Sequence, residues 1–319
     1  MNEKDLKILE QYDKQIVKTC RGRGSYICDA ANHQCLLLKE YEASENRAET
    51  ILQVLLTVME DQRLSVDVFV RNKQGRLVSR DREEQGFILK EWRHGRECDV
   101  KKEDEILYAV EYLARLHTQL QMIQDIDLHQ RQMTCMEEFK KRIRELKRIQ
   151  NYVNQKKSKT EFEQNFMSEL PRYYEEAKAA EEKAAKIKTE PLQLCHGDYT
   201  QHNILIGEDG IFIVNFDKCH YGSQMEDLYL FMRKILEKYD WDVDLGLNMI
   251  ERYHAFKKIS DEQRQELYLR FSFPEKFWKI ANHYYNSKKV WGVGRNLNKL
   301  EKLTKQTQMK QQFLDQIKY

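Results

Sequence analysis

The sequence predicts an α+β protein with two lobes: a small, antiparallel, strand-rich first lobe that carries one helix, and a larger, mostly helical second lobe. Short apolar runs separated by Gly and Asn turns fill the first part of the chain. Long stretches rich in Glu, Lys and Leu fill the rest, and the 319 residues include only three prolines, which favours helix. We place the two lobes at residues 1–93 and 94–319.

The composition limits the classes of function. Hydrophobic residues make up 41% of the chain and charged residues 33%, as in a soluble globular protein. The net charge of +2 gives no electrostatic argument for nucleic acid. No apolar run approaches the ~20 residues of a membrane span, and the start of the chain does not resemble a signal peptide. The seven cysteines include no Cys-x-x-Cys pair. We therefore expect free thiols, synthesis in the cytoplasm, and neither nucleic acid nor membrane as a partner.

The first lobe begins with a short helix over 1–13 and continues as strands with one helix. The strands are predicted at 15–20, 25–29, 35–41, 66–71 and 87–92. The helix follows Ser44, a plausible N-cap. Its apolar residues recur at helical spacing: Ala48, Ile51, Leu52, Leu55, Leu56 and Met59.

The second lobe is predicted to be helical except for one strand-turn-strand segment. Helices are predicted at 104–122, within the very charged 134–190, and over 225–318. The strand segment spans 192–217, and Glu208-Asp209-Gly210 forms its turn.

The pattern that carries chemistry is His196-Gly197-Asp198 followed by Asn203, in a loop between two apolar strands. Phosphoryl transfer uses such a loop: a carboxylate, here Asp198, orients or deprotonates the substrate hydroxyl, and an amide oxygen, here of Asn203, holds Mg²⁺ against the phosphates. His196 is expected to brace the loop. The alternative is a plain β-hairpin with a polar loop.

The order of three strands, a helix and further strands is the layout of a kinase N-lobe. Lys39 falls on the third strand, where kinases place the lysine that contacts the α- and β-phosphates. We choose Glu49 as its partner on the helix, with Glu45 as the competitor. The alternative for Lys39 is a solvent-facing strand lysine. The turn at residues 21–24 is either a reduced phosphate-covering loop or, as we favour, an ordinary hairpin turn.

The segment 211–218 completes the pattern with one departure. Alternation along a strand would place Asn215 and Asp217 on one face with Ile211 and Ile213. Kinase-like enzymes carry a metal-binding Asp near the position of Asn215. An amide brings no negative charge to a divalent cation, and Asp217 lies two residues further on. We therefore expect Asn203, Asn215 and Asp217 to bind a metal more weakly than the usual set.

These motifs resemble the aminoglycoside phosphotransferase and choline kinase superfamily and, within it, the CotS-type spore coat proteins of endospore-forming bacteria. The resemblance spans nearly the whole chain and is most specific over 191–241. It rests on Gly95-Arg96-Glu97-Cys98, His196-Gly197-Asp198-Tyr199, Asn203, Asn215-Phe216-Asp217-Lys218-Cys219, Gly222, and the run from Asp227 to Lys234.

The resemblance implies a protein-kinase-like fold that uses ATP and Mg²⁺. It implies Asp198 as the catalytic base within a catalytic loop at 194–218, and Asn203 as a metal ligand. It further implies Lys39 with Glu49 as the phosphate-anchoring pair, adenine near Trp92, and bracing of the loop by Asp227.

Two hypotheses follow. The first is an ATP- and Mg²⁺-dependent phosphotransferase that acts on a hydroxyl of a small molecule. The second is a kinase-fold scaffold without turnover that is deposited in the spore coat with other coat proteins. Asp198, Asn203 and Lys39 favour the first, and Asn215 favours the second. We lean slightly towards a coat-associated kinase-like protein.

Overall fold

A computed structural model describes residues 3–22, 24–124, 126–128, 133–188, 190–286 and 293–318. Arg23, part of the predicted turn at 21–24, lies outside the described residues. Contacts divide the chain into a first unit, Met1–Gln130 with Gln193–Tyr221, and a second unit, Arg131–Leu192 with Gly222–Tyr319. These units do not coincide with the predicted lobe boundary at residue 93, which stays a prediction.

The first unit contains the strands and two long helices. Its elements are β1 (Ile16–Arg21), β2 (Ser25–Ala30), β3 (Cys35–Glu40), α1 (Glu45–Val58), β4 (Phe69–Val70), β5 (Val78–Arg80), β6 (Gly86–Trp92), β7 (Arg96–Glu97), α2 (Glu103–Met122), β8 (Gln193–Cys195), β9 (Ile204–Gly207), β10 (Gly210–Ile213) and β11 (His220–Gly222). Short 3₁₀ helices cover Glu3–Gln11, Gln201–Asn203 and Phe216–Lys218.

The main sheet has the order β1-β2-β3-β6-β4, with β5 also paired to β6. All its described pairings are antiparallel. Strand β2 alternates buried and half-buried residues, as expected for a strand with one core face, while β6 is buried over five successive residues, as expected for a strand covered on both faces. The predicted antiparallel, strand-rich arrangement is therefore confirmed.

Helix α1 begins where the sequence predicts. Ser44 accepts a hydrogen bond from the N–H of Arg47 and so satisfies one of the free donors of the first turn. Four residues of its predicted apolar stripe are buried, namely Ala48, Ile51, Leu52 and Leu55, whereas Leu56 and Met59 are exposed. The predicted strand at 66–71 is shorter than expected: only Phe69 and Val70 pair with β6.

A second, smaller sheet has the order β10-β9-β7. Gly207 and Gly210 pair at the end of the β9–β10 hairpin, so the predicted turn at 208–210 is confirmed. The short β7 was not predicted. Arg96 in β7 donates two hydrogen bonds to Glu105 in the first turn of α2. These bonds lower the pKa of Glu105 to about 2 and fasten β7 to α2.

The described part of the second unit is helical. Its helices are α3 (Cys135–Gln155), α4 (Glu161–Ala184), α5 (Gln224–Leu236), α6 (Val243–Phe256), α7 (Asp261–Ser272), α8 (Glu275–Asn286), α9 (Val293–Lys305) and α10 (Thr307–Gln316). Thr134 and Thr160 form capping boxes that start α3 and α4, which explains why the charged stretch divides into two helices. Among the described helices, none has the length and apolarity needed to cross a bilayer.

Candidate active site

The loop after β8 is held by a buried histidine. The His196 Nδ1 accepts a hydrogen bond from the N–H of Asp198 at 3.1 Å, and its Nε2 lies 3.0 Å from the carbonyl oxygen of Val214. His196 is inaccessible to solvent. Gly197 has φ of 79°, and a Cβ there would lie 2.2 Å from the Lys218 carbonyl oxygen. Only glycine fits this position, and the histidine braces the loop as the sequence suggests.

Asn203 connects the loop to the segment after β10. Its Nδ2 donates to the carbonyl oxygen of Asp198 at 2.8 Å. Its backbone carbonyl accepts from Val214 at 3.0 Å. The Asn203 Oδ1 accepts from Nδ2 of Asn215 at 3.4 Å. Asn203 therefore fixes the backbone of Asp198 and turns its amide oxygen towards Asn215.

The predicted alternation on one strand is wrong beyond Ile213, where β10 ends. Asn215 has φ of 73° and ψ of 57°, in the left-handed region that Asn tolerates better than most residues. Its N–H donates to Oδ2 of Asp67 at 3.0 Å, which holds this conformation. Asp217 then lies in a 3₁₀ helix rather than in an extended strand.

Lys39 joins Asn215 and Asp217 from β3. Its Nζ donates to Oδ1 of Asn215 at 3.1 Å and forms an ion pair with Asp217. The structure thus brings Lys39, Asn203, Asn215 and Asp217 together, although it does so by a left-handed residue and a short helix rather than by strand alternation.

A second lysine, Lys90, lies close to Asp217 as Lys39 does. Lys90 is fully buried and donates to Asp67 at 2.8 Å, and its Nζ is 3.5 Å from Asp217. Burial would lower the pKa of Lys90, but Asp67 and Asp217 outweigh it and the pKa is raised. Burial likewise opposes ionisation of Asp217, yet Lys90 and Lys39 hold its pKa below the usual range. Asp217 is therefore a carboxylate between two lysines.

The predicted pairing of Lys39 with Glu49 is wrong, because Lys39 contacts Asn215 and Asp217 instead. Glu49 lies on the outer face of α1 and accepts two hydrogen bonds from Arg71. The competitor Glu45 is also engaged elsewhere, because its carboxylate accepts from the N–H groups of Leu77 and Val78.

Four further residues of this site were missed by sequence reasoning. They are Arg47, Asp67, Lys90 and Lys218. A lysine inside the buried run of β6 and an acid in the apolar stretch before β4 were visible signals for the Lys90–Asp67 pair. Arg47 donates to the carbonyl oxygens of Asp217 and Cys219, a contact with no local sequence signal.

Lys218 gives Asp198 a cationic neighbour. Its Nζ donates to Oδ2 of Asp198 at 3.0 Å, with side chains 65% and 25% exposed. An exposed pair of this kind is weak in water. The Asp198 carboxylate is therefore partly open to solvent and only weakly held by Lys218.

A cavity of about 400 Å³ opens within the first unit beside these residues, a volume in the range of small-molecule sites. Its apolar walls come from Ile27, Leu37, Trp92, Leu205 and Val214, and its polar groups include Lys39, Asp67, Asn203 and Asn215. The Trp92 ring packs edge-on against Phe212, with the ring centroids 5.7 Å apart. Gly22 and Gly24 also line it, so the turn that we favoured as an ordinary hairpin lies at a candidate phosphate-covering position.

The donor atoms do not fit a resident Mg²⁺ ion. Of the three predicted ligands, only Asp217 is a carboxylate, and two lysines already surround it. The amide oxygens of Asn203 and Asn215 each accept a hydrogen bond from this chain. Hard cations favour carboxylate oxygens free of such cationic neighbours.

Asp227 lies in the second unit, in the first turn of α5, and is 1% exposed. Its predicted bracing role remains a prediction.

The fold and sequence match known proteins. An aminoglycoside phosphotransferase from Alicyclobacillus acidocaldarius subsp. acidocaldarius DSM 446 superposes with a TM-score of 0.84 at 18% identity, over 97% of this chain and 93% of that one. A spectinomycin phosphotransferase complex with AMP superposes with a TM-score of 0.70 at 13% identity, over 97% of each chain. The kinase-like fold that the sequence predicts is thereby confirmed.

Spore coat protein S of Bacillus subtilis (strain 168) is 25% identical over 125 residues, which are 39% of this chain and 36% of that protein. The match thus spans about a third of that relative's length. A sequence model described as the phosphotransferase enzyme family matches residues 28–268, well over half of the chain. The chain therefore belongs to the phosphotransferase enzyme family.

Proposed function

We propose that this chain binds an ATP-type nucleotide in the first unit and transfers its terminal phosphoryl group to a hydroxyl of a small molecule. The observation that carries the proposal is the cavity that combines apolar walls with the polar groups of Lys39, Asn203 and Asn215. Base stacking suits the apolar walls, and Lys39 is the cation for the phosphates. Solved structures with this fold include a spectinomycin phosphotransferase with ADP and an aminopropanol kinase, which supports both halves of the proposal.

In this proposal the residues act by position and charge. His196 and Asn203 fix the backbone of Asp198 and so hold its carboxylate in place. This carboxylate orients the acceptor hydroxyl and accepts the proton of that hydroxyl. Lys39 binds the phosphates after exchanging part of its contact with Asp217, and Lys218 leaves Asp198 to face the transferred group. Mg²⁺, which such enzymes use to neutralise the phosphates, would gain little from Asn215, so we expect slow transfer.

A second function has an observation of its own. Asn215 lacks the charge of a metal ligand and is satisfied by hydrogen bonds to Asp67, Asn203 and Lys39. That arrangement suits a kinase-fold scaffold that holds its shape without turnover. Together with the likeness to a spore coat protein, it supports a chain made in the cytoplasm and deposited in the coat beside other coat proteins.

Asn215→Asp tests which function applies. A carboxylate at this position adds the missing charge beside Asn203, so we expect Mg²⁺ to tighten ATP binding by about tenfold in the variant and to raise phosphate release or transfer. Calorimetric titration of ATP with Mg²⁺ or with a chelator measures binding, and phosphate release measures turnover. Asn46→Asp, which adds the same charge at an exposed position of α1, is the control and should change neither.

If Asn215→Asp binds ATP with Mg²⁺ but neither it nor the natural protein turns ATP over with any hydroxyl acceptor tried, the scaffold reading stands. If Mg²⁺ strengthens ATP binding equally in the natural protein and the variant, the account of Asn215 is wrong.

A further inference from the structure

Three polar side chains of different chemistry meet on the main sheet of the first unit, away from Lys39. They are Asp29 on β2, Cys35 on β3 and His94, which follows β6. One ligand atom from each side chain lies within 4.8 Å of the ligand atoms of the other two. In the described part of the chain, this is the group of acid, thiol and imidazole side chains whose ligand atoms lie that close together. The His94 Nε2 lies 3.4 Å from Oδ1 of Asp29.

The sheet register explains the convergence. Asp29 is paired with Cys35 across β2 and β3, and Cys35 is paired with Trp92 across β3 and β6. Directly paired residues point to the same face of a sheet. His94 comes two residues after Trp92, so an extended chain returns its side chain to that face. Two paired strands, β2 and β3, and the segment just after β6 therefore bring one acid, one thiol and one imidazole side by side.

The spacing suits a tetrahedral metal ion. Zinc bonds of about 2.0–2.3 Å place two ligand atoms of a tetrahedron about 3.3–3.7 Å apart. The Asp29–His94 separation of 3.4 Å already lies in that range, and the 4.8 Å limit on the other pairs requires only small side-chain adjustments. The side chains of Asp29 and His94 are 34% and 72% exposed, so an ion can reach them from solvent.

The ligand types also suit a divalent cation. Asp29 places a carboxylate beside the Cys35 thiol and the His94 imidazole, and a bound divalent cation stabilises a coordinating thiol as the thiolate.

We propose that Asp29, Cys35 and His94 form a binding site for Zn²⁺, with water as the fourth ligand. Thiolate and imidazole ligands together select zinc over Mg²⁺ or Ca²⁺, and three protein ligands leave one coordination position open. The site lies on the same sheet face as the cavity, because Asp29 and Cys35 are each two residues along the strand from the cavity residues Ile27 and Leu37.

This metal site is separate from Lys39, the residue that we expect to bind the phosphates. Lys39 lies four residues from Cys35 along β3, which corresponds to about 13 Å. Trp92, the strand partner of Cys35, lines the cavity. Zinc would therefore fasten the chain after β6 to the β2–β3 hairpin, next to the ring that we expect near the base of the nucleotide.

Co²⁺ titration of the whole chain tests the site, because a tetrahedral thiolate complex absorbs through both a sulfur-to-cobalt charge-transfer band and visible d–d bands. We expect both bands to saturate at one equivalent and to disappear when Zn²⁺ is added. Cys35→Ser should abolish the charge-transfer band, and Asp29→Asn and His94→Ala should each weaken Co²⁺ binding at least tenfold. Zn²⁺ should raise the melting temperature of the natural protein and leave that of Cys35→Ser unchanged.

Cys20→Ser is the matched control, since Cys20 is an exposed free thiol in the same sheet and lies outside the site. It should leave the spectrum and the affinity unchanged. The proposal is overturned if the charge-transfer band is missing, if it survives Cys35→Ser, or if Asp29→Asn and His94→Ala both bind Co²⁺ as tightly as the natural protein. None of these readouts depends on nucleotide binding or turnover.

Discussion

Replacing Lys90 by methionine is expected to lower the free energy of unfolding by about 3–5 kcal/mol, the usual cost of removing one partner from a buried ion pair. Methionine fills much of the same volume but leaves Asp67 without its counter-ion. Asp67 is 1% exposed, and its Oδ1 already has no hydrogen-bond partner among the described residues. Urea unfolding at neutral pH measures the loss.

The double variant Lys90→Met/Asp67→Asn separates the ion pair from packing. Asparagine removes the buried charge and keeps an oxygen for the N–H of Asn215, so we expect the double variant to recover most of the loss. Lys101→Met, at an exposed position, is the control and should change stability by less than about 0.5 kcal/mol. A cost below about 1 kcal/mol for Lys90→Met, or a double variant as unstable as the sum of the two single ones, would show that the pair is not buried as described.

Asp198→Asn is expected to reduce phosphoryl transfer by about 10²–10⁴-fold, the range for loss of a general base. The amide keeps the shape of the side chain, and the contacts of the Asp198 backbone with His196 and Asn203 do not involve the carboxylate. The affinity for ATP should therefore stay within about twofold, so that the loss is confined to turnover. Transfer is measured with an excess of a hydroxyl acceptor, and affinity by calorimetry.

Asp209→Asn provides a matched control, because Asp209 is an exposed acid in the hairpin turn of the same unit. It should leave turnover unchanged. Transfer that persists in Asp198→Asn would remove Asp198 from the role of base. A natural protein that binds ATP and transfers nothing to any acceptor would favour the scaffold.

Local sequence patterns predicted the elements that depend on local physics. Strands β1 and β2 end at turns that contain Gly or Asn, and α1 starts at Ser44 with the hydrogen bond expected of an N-cap. The two-residue strands β4 and β7 carry too few residues for alternation to show, so their extent could not be read from the chain.

The loop at 194–203 was found because its residues are close in sequence. The partners of Lys39 could not be found from sequence spacing, because they depend on how distant segments of the chain meet. Glu49 has the right spacing on α1, yet Arg71 binds it at the surface, while Asp217 comes to Lys39 from 178 residues away. Sequence spacing also gave no sign that Asn215 would leave the strand, since Asp67 holds it from another segment of the chain.

The central claim is that the first unit binds an ATP-type nucleotide through Lys39 and that Asn215 leaves little role for Mg²⁺. Thermal unfolding with ATP, in a chelator and in Mg²⁺, tests it most directly, with Lys39→Met as the comparison. At ATP about tenfold above its dissociation constant, we expect a rise in melting temperature of roughly 2–4 °C in the chelator. We expect little further rise with Mg²⁺ and no rise in Lys39→Met. No shift at millimolar ATP, or an equal shift in Lys39→Met, would contradict the claim.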